Sequence, residues 1–148
     1  MKRFEKFVYQ QFMSLIRHLK KWRLSEEAET LHRIRIDIKK IKAALAVIND
    51  NKKEFISNKG LKTLRIIFRN AGVIRDSDVI TRLLQQHHIE VSCYELIPGD
   101  TKESIKTLNS ELPQYIRKLK SLRNKLKDNL KRIHRDDLEK YVPKRRNT

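Results

Sequence analysis

Five histidines, one cysteine and 18 carboxylates are the side chains from which this 148-residue chain could build an acid–base, nucleophilic or metal site. Their spacing does not assemble one. His87 and His88 are adjacent, so on a helix they point about 100° apart and make a poor metal pair. No Cys–His or His–carboxylate spacing suits zinc. Asp76 and Asp78 suit helix capping better than a cation site. There is no P-loop, no glycine-rich phosphate loop and no Ser–His–Asp pattern. No residue stands out as a general base or nucleophile. The chain is therefore expected not to be an enzyme, and neither a metal nor a cofactor is expected.

The chemistry that remains is cationic. Thirty-five Lys and Arg against 18 Asp and Glu leave a formal net charge of +17. Solubility asks for only about 2–8 charges on a small domain. A field this positive implies a polyanionic partner: nucleic acid, an anionic membrane or a phosphate polymer. The positions matter more than the total. At 100° per residue, His32, Arg35, Lys39 and Lys42 form a narrow stripe beside an apolar face made by Leu31, Ile34, Ile38, Ile41, Leu45 and Ile48. Lys62, Arg65 and Arg69 repeat the arrangement beside Leu61, Leu64, Ile67, Phe68 and Ala71. Lys120, Arg123 and Lys127, continued by Lys131 and His134, repeat it again beside an apolar face running from Leu112 to Ile133. Like charges one turn apart cost a few tenths of a kcal/mol per pair, and acidic partners at i+4 are missing within the stripes. A bound anion would supply the compensation.

The elements that carry these stripes read as helices. Phe4, Val8, Phe12, Leu15, Leu19 and Trp22 recur at helical spacing and predict a helix over about 3–22. Ser25, followed by Glu26 and Glu27, is expected to cap a second helix that ends at Asn49–Asn51. A third helix is expected from 53 or 59 to 71, with Gly72 as its C-terminal cap. Asp76 or Asp78 would start a fourth, to about 88. Residues 89–99 read as a loop, and a last helical region runs from about 101 to 133, with Pro113 a candidate break. The tail from 134 is basic. Three glycines and three prolines are too few for a turn-rich β fold. The expectation is an all-α single domain over 1–148, with a core over about 3–133. Its architecture would be an antiparallel four-helix bundle with basic grooves. Cys93 alone cannot form an internal disulfide. The longest apolar run, Ala43–Ile48, is far short of the roughly 20 residues of a membrane span, and the chain reads as cytoplasmic.

Two segments carry a resemblance. His32-Arg33-Ile34-Arg35-Ile36-Asp37-Ile38-Lys39-Lys40-Ile41-Lys42 follows H-x-x-R-hydrophobic-x-x-K-[KR]-hydrophobic-[KR]. About thirty residues later, Leu64–Val79 is similar to a helix ending in a small residue and Gly, followed by hydrophobic-Arg-Asp-x-Asp-Val. In this order they resemble the CHAD domain, the conserved histidine α-helical domain, over about 1–133. The resemblance implies a helical bundle that binds inorganic polyphosphate in a basic groove, as a non-catalytic binding or granule-targeting module. By position it implies binding roles for His32, Arg35, Lys39, Lys40, Lys42, Arg65, Arg69 and Arg75, and for Lys120, Arg123 and Lys127 on the closing helix. Arg75 is expected to pair with Asp76. Members of the family usually hold two related four-helix halves. The His motif occurs here once, so the chain resembles one half, which either dimerises to rebuild the groove or is a truncated, weaker binder.

Nucleic-acid binding is the competing reading. Single-stranded binders stack bases on aromatics. Phe4, Phe12, Trp22, Phe68 and Tyr115 fall on core faces, while Tyr9, Phe55, Tyr94 and Tyr141 scatter outside the stripes. A ligand with phosphate but no base needs no such platform, which favours polyphosphate.

Overall fold

The computed structural model describes residues 2–51, 58–89 and 99–130. They form four helices: α1 (Lys2–Ser25), α2 (Ala28–Asn51), α3 (Asn58–Gln86) and α4 (Gly99–Leu130). There is no strand among the described residues. Each helix turns one apolar line inward. Phe12, Leu15, Leu19 and Trp22 of α1 meet Leu31, Ile34, Ile38 and Ile41 of α2. Leu64, Ile67 and Ala71 of α3 and Leu108, Leu112, Leu119 and Leu126 of α4 complete one core. Full burial of such a side chain contributes about 1.5–3 kcal/mol. The expected helical periodicity is the physical reason the core is continuous.

The packing is a ring. α1 lies on α2, α2 on α3, α3 on α4 and α4 on α1. Neighbours run antiparallel, as cross-helix contacts show. Ser14 and His18 of α1 meet Asp37 of α2. Arg35 of α2 reaches Gly72 and Phe68, and Lys42, two turns on, also reaches Phe68. Leu122 of α4 approaches Gly60, where a Cβ would stand 2.9 Å from its methyls. On the remaining side Arg123 meets Met13, while Asn109 reaches Glu26. The order of the ring makes the α2/α3 groove and the α1/α4 groove opposite sides of the bundle.

The helix ends differ from the sequence expectation. Ser25 does not cap α2. It is the last residue of α1, and its hydroxyl donates to the Lys21 carbonyl at 3.0 Å. Glu26 makes the turn with φ of 50°, and its N–H donates to the Trp22 carbonyl at 2.7 Å. Gly72 does not end a helix either. The two helices expected over 59–71 and 76–88 are one, α3, and no glycine has positive φ. The α3 terminus falls at His88, with φ of 50°. Ile89 N–H bonds Leu84 carbonyl at 3.0 Å and His88 N–H bonds Gln85 carbonyl at 3.2 Å. That is a Schellman motif with histidine in the position glycine usually takes. Pro113 lies inside an unbroken α4, on its exposed side. Of the loop expected over 89–99, residues 90–98 lie outside the described residues, as do the expected last turn of α4 after 130 and the tail from 134.

The last turns of α3 differ from the rest of the helix. Beyond Arg75 its apolar residues change side. Val79, Ile80 and Leu83 are exposed and lie about 60°, 160° and 100° around the helix from Leu64.

Candidate anion-binding grooves

The α2/α3 groove is built around one ring. Phe68, read from the sequence as core, is half-buried and forms the groove floor. The Arg35 guanidinium lies 4.5 Å from its centroid and the Lys42 ammonium 5.0 Å. Such contacts contribute about 0.5–1 kcal/mol at exposed sites. Gly72, one turn along α3, packs against Arg35: a Cβ there would stand 3.4 Å from Arg35 Cζ, so a methyl fits and a longer side chain would displace the guanidinium. This is the use of the glycine that a C-cap expectation missed. Continuing the antiparallel register, His32 stands opposite Arg75, both half-buried, and Lys39 lies exposed on the outer edge. Arg65 is exposed one turn before Arg69, its Nε only 3.5 Å from the Leu61 carbonyl.

Among the described residues, no carboxylate pairs with a cation of this groove. The ion pairs among the described residues join His18 to Asp37, Arg33 to Glu29 and Arg82 to Asp78. None includes His32, Arg35, Lys39, Lys42, Arg65 or Arg75. The expected Arg75–Asp76 pair is not formed. Asp78 instead pairs with Arg82 at 3.1 Å. Arg35 makes no hydrogen bond to the protein, and its Nε is buried without a partner. A buried donor left unmade costs about 1–3 kcal/mol. An aligned row of cations with one arginine held on a ring is an arrangement suited to a multiply charged anion.

The other sequence-derived residues fall elsewhere. Lys40 lies on the opposite flank of α2 from Lys42. It lines the α1/α2 cleft with Arg17 and the Asp37 carboxylate, which opposes an anion. Arg69 lines the α3/α4 side, near Glu103 and Thr107. Lys120, Arg123 and Lys127 lie on the α1 flank of α4, so they face away from the α2/α3 groove. There Arg123 stands 5.3 Å from the Tyr9 ring centroid. It donates to the Met13 sulfur at 2.9 Å and to Asn124 Oδ1 at 3.4 Å, and its Nε is buried without a partner. Tyr9 is thus not isolated from the stripes, as its sequence position suggested.

A cluster that spacing did not reveal ties α1 to α2. Asp37, 5% exposed, accepts the Ser14 hydroxyl at 3.0 and 3.1 Å and is 2.6 Å from His18 Nδ1. The three residue types are those of a hydrolytic triad, but the geometry is not. The serine hydroxyl donates to the carboxylate, and the histidine nitrogen nearest the serine is the one the carboxylate engages. The cluster is a structural clasp. No described group of three His, Cys, Asp or Glu could hold a metal, and no described helix is long and apolar enough to cross a membrane.

No curated protein and no solved structure matches the chain. A family model described as the CHAD domain matches residues 7–147. That span includes α1 from Phe7 onward, the other three helices whole, the His32-to-Lys42 stripe and the Arg75 segment. With its helical ring and basic α2 flank, this chain belongs to the CHAD domain family, which is linked in general to polyphosphate binding.

Proposed function

We propose that the α2/α3 groove binds inorganic polyphosphate, and that the chain acts as a binding or granule-targeting module rather than an enzyme. The observation that carries this reading is Arg35. Its guanidinium is held on Phe68 against Gly72, has no protein acceptor, and shares its ring with Lys42. Arg35 would grip phosphate oxygens with its fork, while His32, Lys39, Lys42 and Arg75 act as donors or point charges along the chain. The stripe from His32 to Lys42 extends about 15 Å at 1.5 Å per residue, so it faces several consecutive phosphates. A polymer of bare phosphates suits the groove better than nucleic acid, because its one ring is half-buried and already carries two cations. A base would have to compete with both cations for that ring. A second copy of the chain would present a second basic surface to the same polymer, as the single His motif suggests. Sedimentation with and without polyphosphate reads that assembly.

The test is a competition at one stated salt concentration between long-chain polyphosphate, single-stranded RNA and duplex DNA. Polyphosphate is expected to win at matched phosphate concentration. The double variant Arg35→Ala/Lys39→Ala is expected to weaken binding at least tenfold with its helical circular dichroism intact, since neither side chain belongs to the core. Tighter binding of RNA would transfer the groove to nucleic acid.

A further inference from the structure

Among the described residues no carboxylate pairs with Lys120, Arg123 or Lys127 of α4, and this stripe lies on the opposite side of the bundle from the α2 stripe. Arg123 and Lys127 line the α1/α4 groove together with Lys6 and the exposed Tyr9, and Lys120 is exposed one turn before Arg123. Glu5 shares the end of this cleft with Lys6 and Lys127, so cations outnumber the carboxylate. Arg123 repeats the device of Arg35: a guanidinium on a ring of the neighbouring helix, its Nε buried without a partner and no carboxylate paired with it. Its acceptors are a thioether sulfur and a side-chain amide oxygen, and sulfur is a weak acceptor.

We infer that one chain carries two polyphosphate sites, one on each side of the bundle, and that it bridges two polymer strands. This rests on the reading of the α2/α3 groove given above. The geometry follows from the ring. Two helix diameters separate the outer surfaces of opposite grooves, roughly 20 Å. The Debye length at physiological salt is about 8 Å. Occupying one groove therefore leaves the other electrostatically open, and the sites fill independently. A short polymer that covers one groove cannot reach the other. The remaining sides mix both signs: Asp37 lies with Arg17 and Lys40 in the α1/α2 cleft, and Glu103 and Glu111 lie with Lys62, Arg69, Lys118 and Lys125 on the α3/α4 side, where no arginine is held on a neighbouring ring among the described residues. A protein with two opposed sites cross-links long polymer into a network, and a single-site binder only coats it.

Calorimetry with short-chain polyphosphate and light scattering with long-chain polyphosphate test this together. The wild-type chain is expected to bind two short polymers. It is expected to scatter strongly with long polymer near charge balance and to clear when polymer is in excess. Arg123→Ala/Lys127→Ala is expected to bind one short polymer and to lose at least tenfold in scattering. Lys120→Ala/Lys127→Ala, which touches only exposed side chains, guards against misfolding of the first variant and is expected to change both readouts in the same direction. A wild-type stoichiometry of one, or undiminished scattering by both α4 variants, would overturn the bridging. The latter would also be the behaviour of a dimer with one groove per protomer. Arg35→Ala/Lys39→Ala reports separately on the underlying reading: if it binds as many short polymers as the wild type, the α2/α3 site fails while the α4 site stands. Stronger scattering with single-stranded RNA at equal phosphate would overturn the ligand class.

Discussion

At the scale of single residues, the buried polar groups decide more than the exposed charges. Asp37 is the sole acceptor shared by Ser14 and His18. Removing it strands two part-buried donors. Asp37→Ala is expected to lower stability by about 1–3 kcal/mol, read as a shift in the denaturant midpoint. A change within a few tenths would show that the clasp is dispensable. Tyr115 offers a pH test. Burial first, and the Glu111 carboxylate one turn before it second, raise its phenol above the ordinary value of 10.0. The native state then holds the phenol neutral where the unfolded chain would release its proton. The stability this contributes is complete below about pH 10 and is lost as pH rises through the folded-state value. Melting temperatures of Tyr115→Phe should fall less steeply above about pH 10 than those of the wild type. Parallel curves would remove Tyr115 from the account.

At the scale of elements, glycine is absent where helices end and present where one continues. Glu26 and His88 occupy the left-handed positions that close α1 and α3, whereas Gly72 sits within α3. Two substitutions of opposite kind should therefore both stabilise. His88→Gly relieves a left-handed backbone that costs a side-chain-bearing residue about 1–2 kcal/mol, less the entropy glycine adds to the unfolded chain. Gly72→Ala gains about 0.5–1 kcal/mol of helix propensity, because its Cβ would meet Arg35 at 3.4 Å, an ordinary contact. If Gly72 were the cap that the sequence suggested, alanine there would destabilise instead. Thermal melts of the two variants settle the sign. A larger side chain is another matter. Gly72→Leu would push Arg35 off Phe68 and lower polyphosphate affinity.

At the scale of the whole molecule, the +17 charge is sorted by the ring of helices. Two opposed grooves each hold an arginine on a ring with no carboxylate paired to it, with Glu5 at the end of one, while the other two sides mix Asp37, Glu103 and Glu111 with Arg17, Lys40, Lys62, Arg69, Lys118 and Lys125. Binding in the cationic grooves should release condensed counterions. By analogy with single strands, the slope of log affinity against log salt is about −0.7 per neutralised charge, or about −4 to −6 for six to eight contacts. Arg35→Ala/Lys39→Ala should make that slope shallower by about 1.4. Replacing Lys144, Arg145 and Arg146, which lie outside the described residues, should change affinity less. An equal loss would mean diffuse attraction to the tail rather than to the grooves.

The helical class and the inward lines of Phe12, Leu19, Ile34, Ile38, Ile67 and Leu119 were determined by the sequence alone. Apolar and charged periodicities at 3.6 residues per turn are local properties. The paired motifs around His32 and Arg75 were equally legible, and so was the family they resemble. Tertiary structure decided what periodicity cannot contain. Gly72 looked like a stop because a glycine after alanine often is one, but the space it leaves is filled by Arg35 from another helix. Lys40 and Lys42 are two residues apart in one motif, yet they serve different grooves because α2 has α1 on one flank and α3 on the other. Ser14, His18 and Asp37 share no readable spacing because they meet across a helix pair. The three basic stripes looked like one site. The ring order separates them, because the flank of a helix acquires a meaning only when a neighbour packs against it.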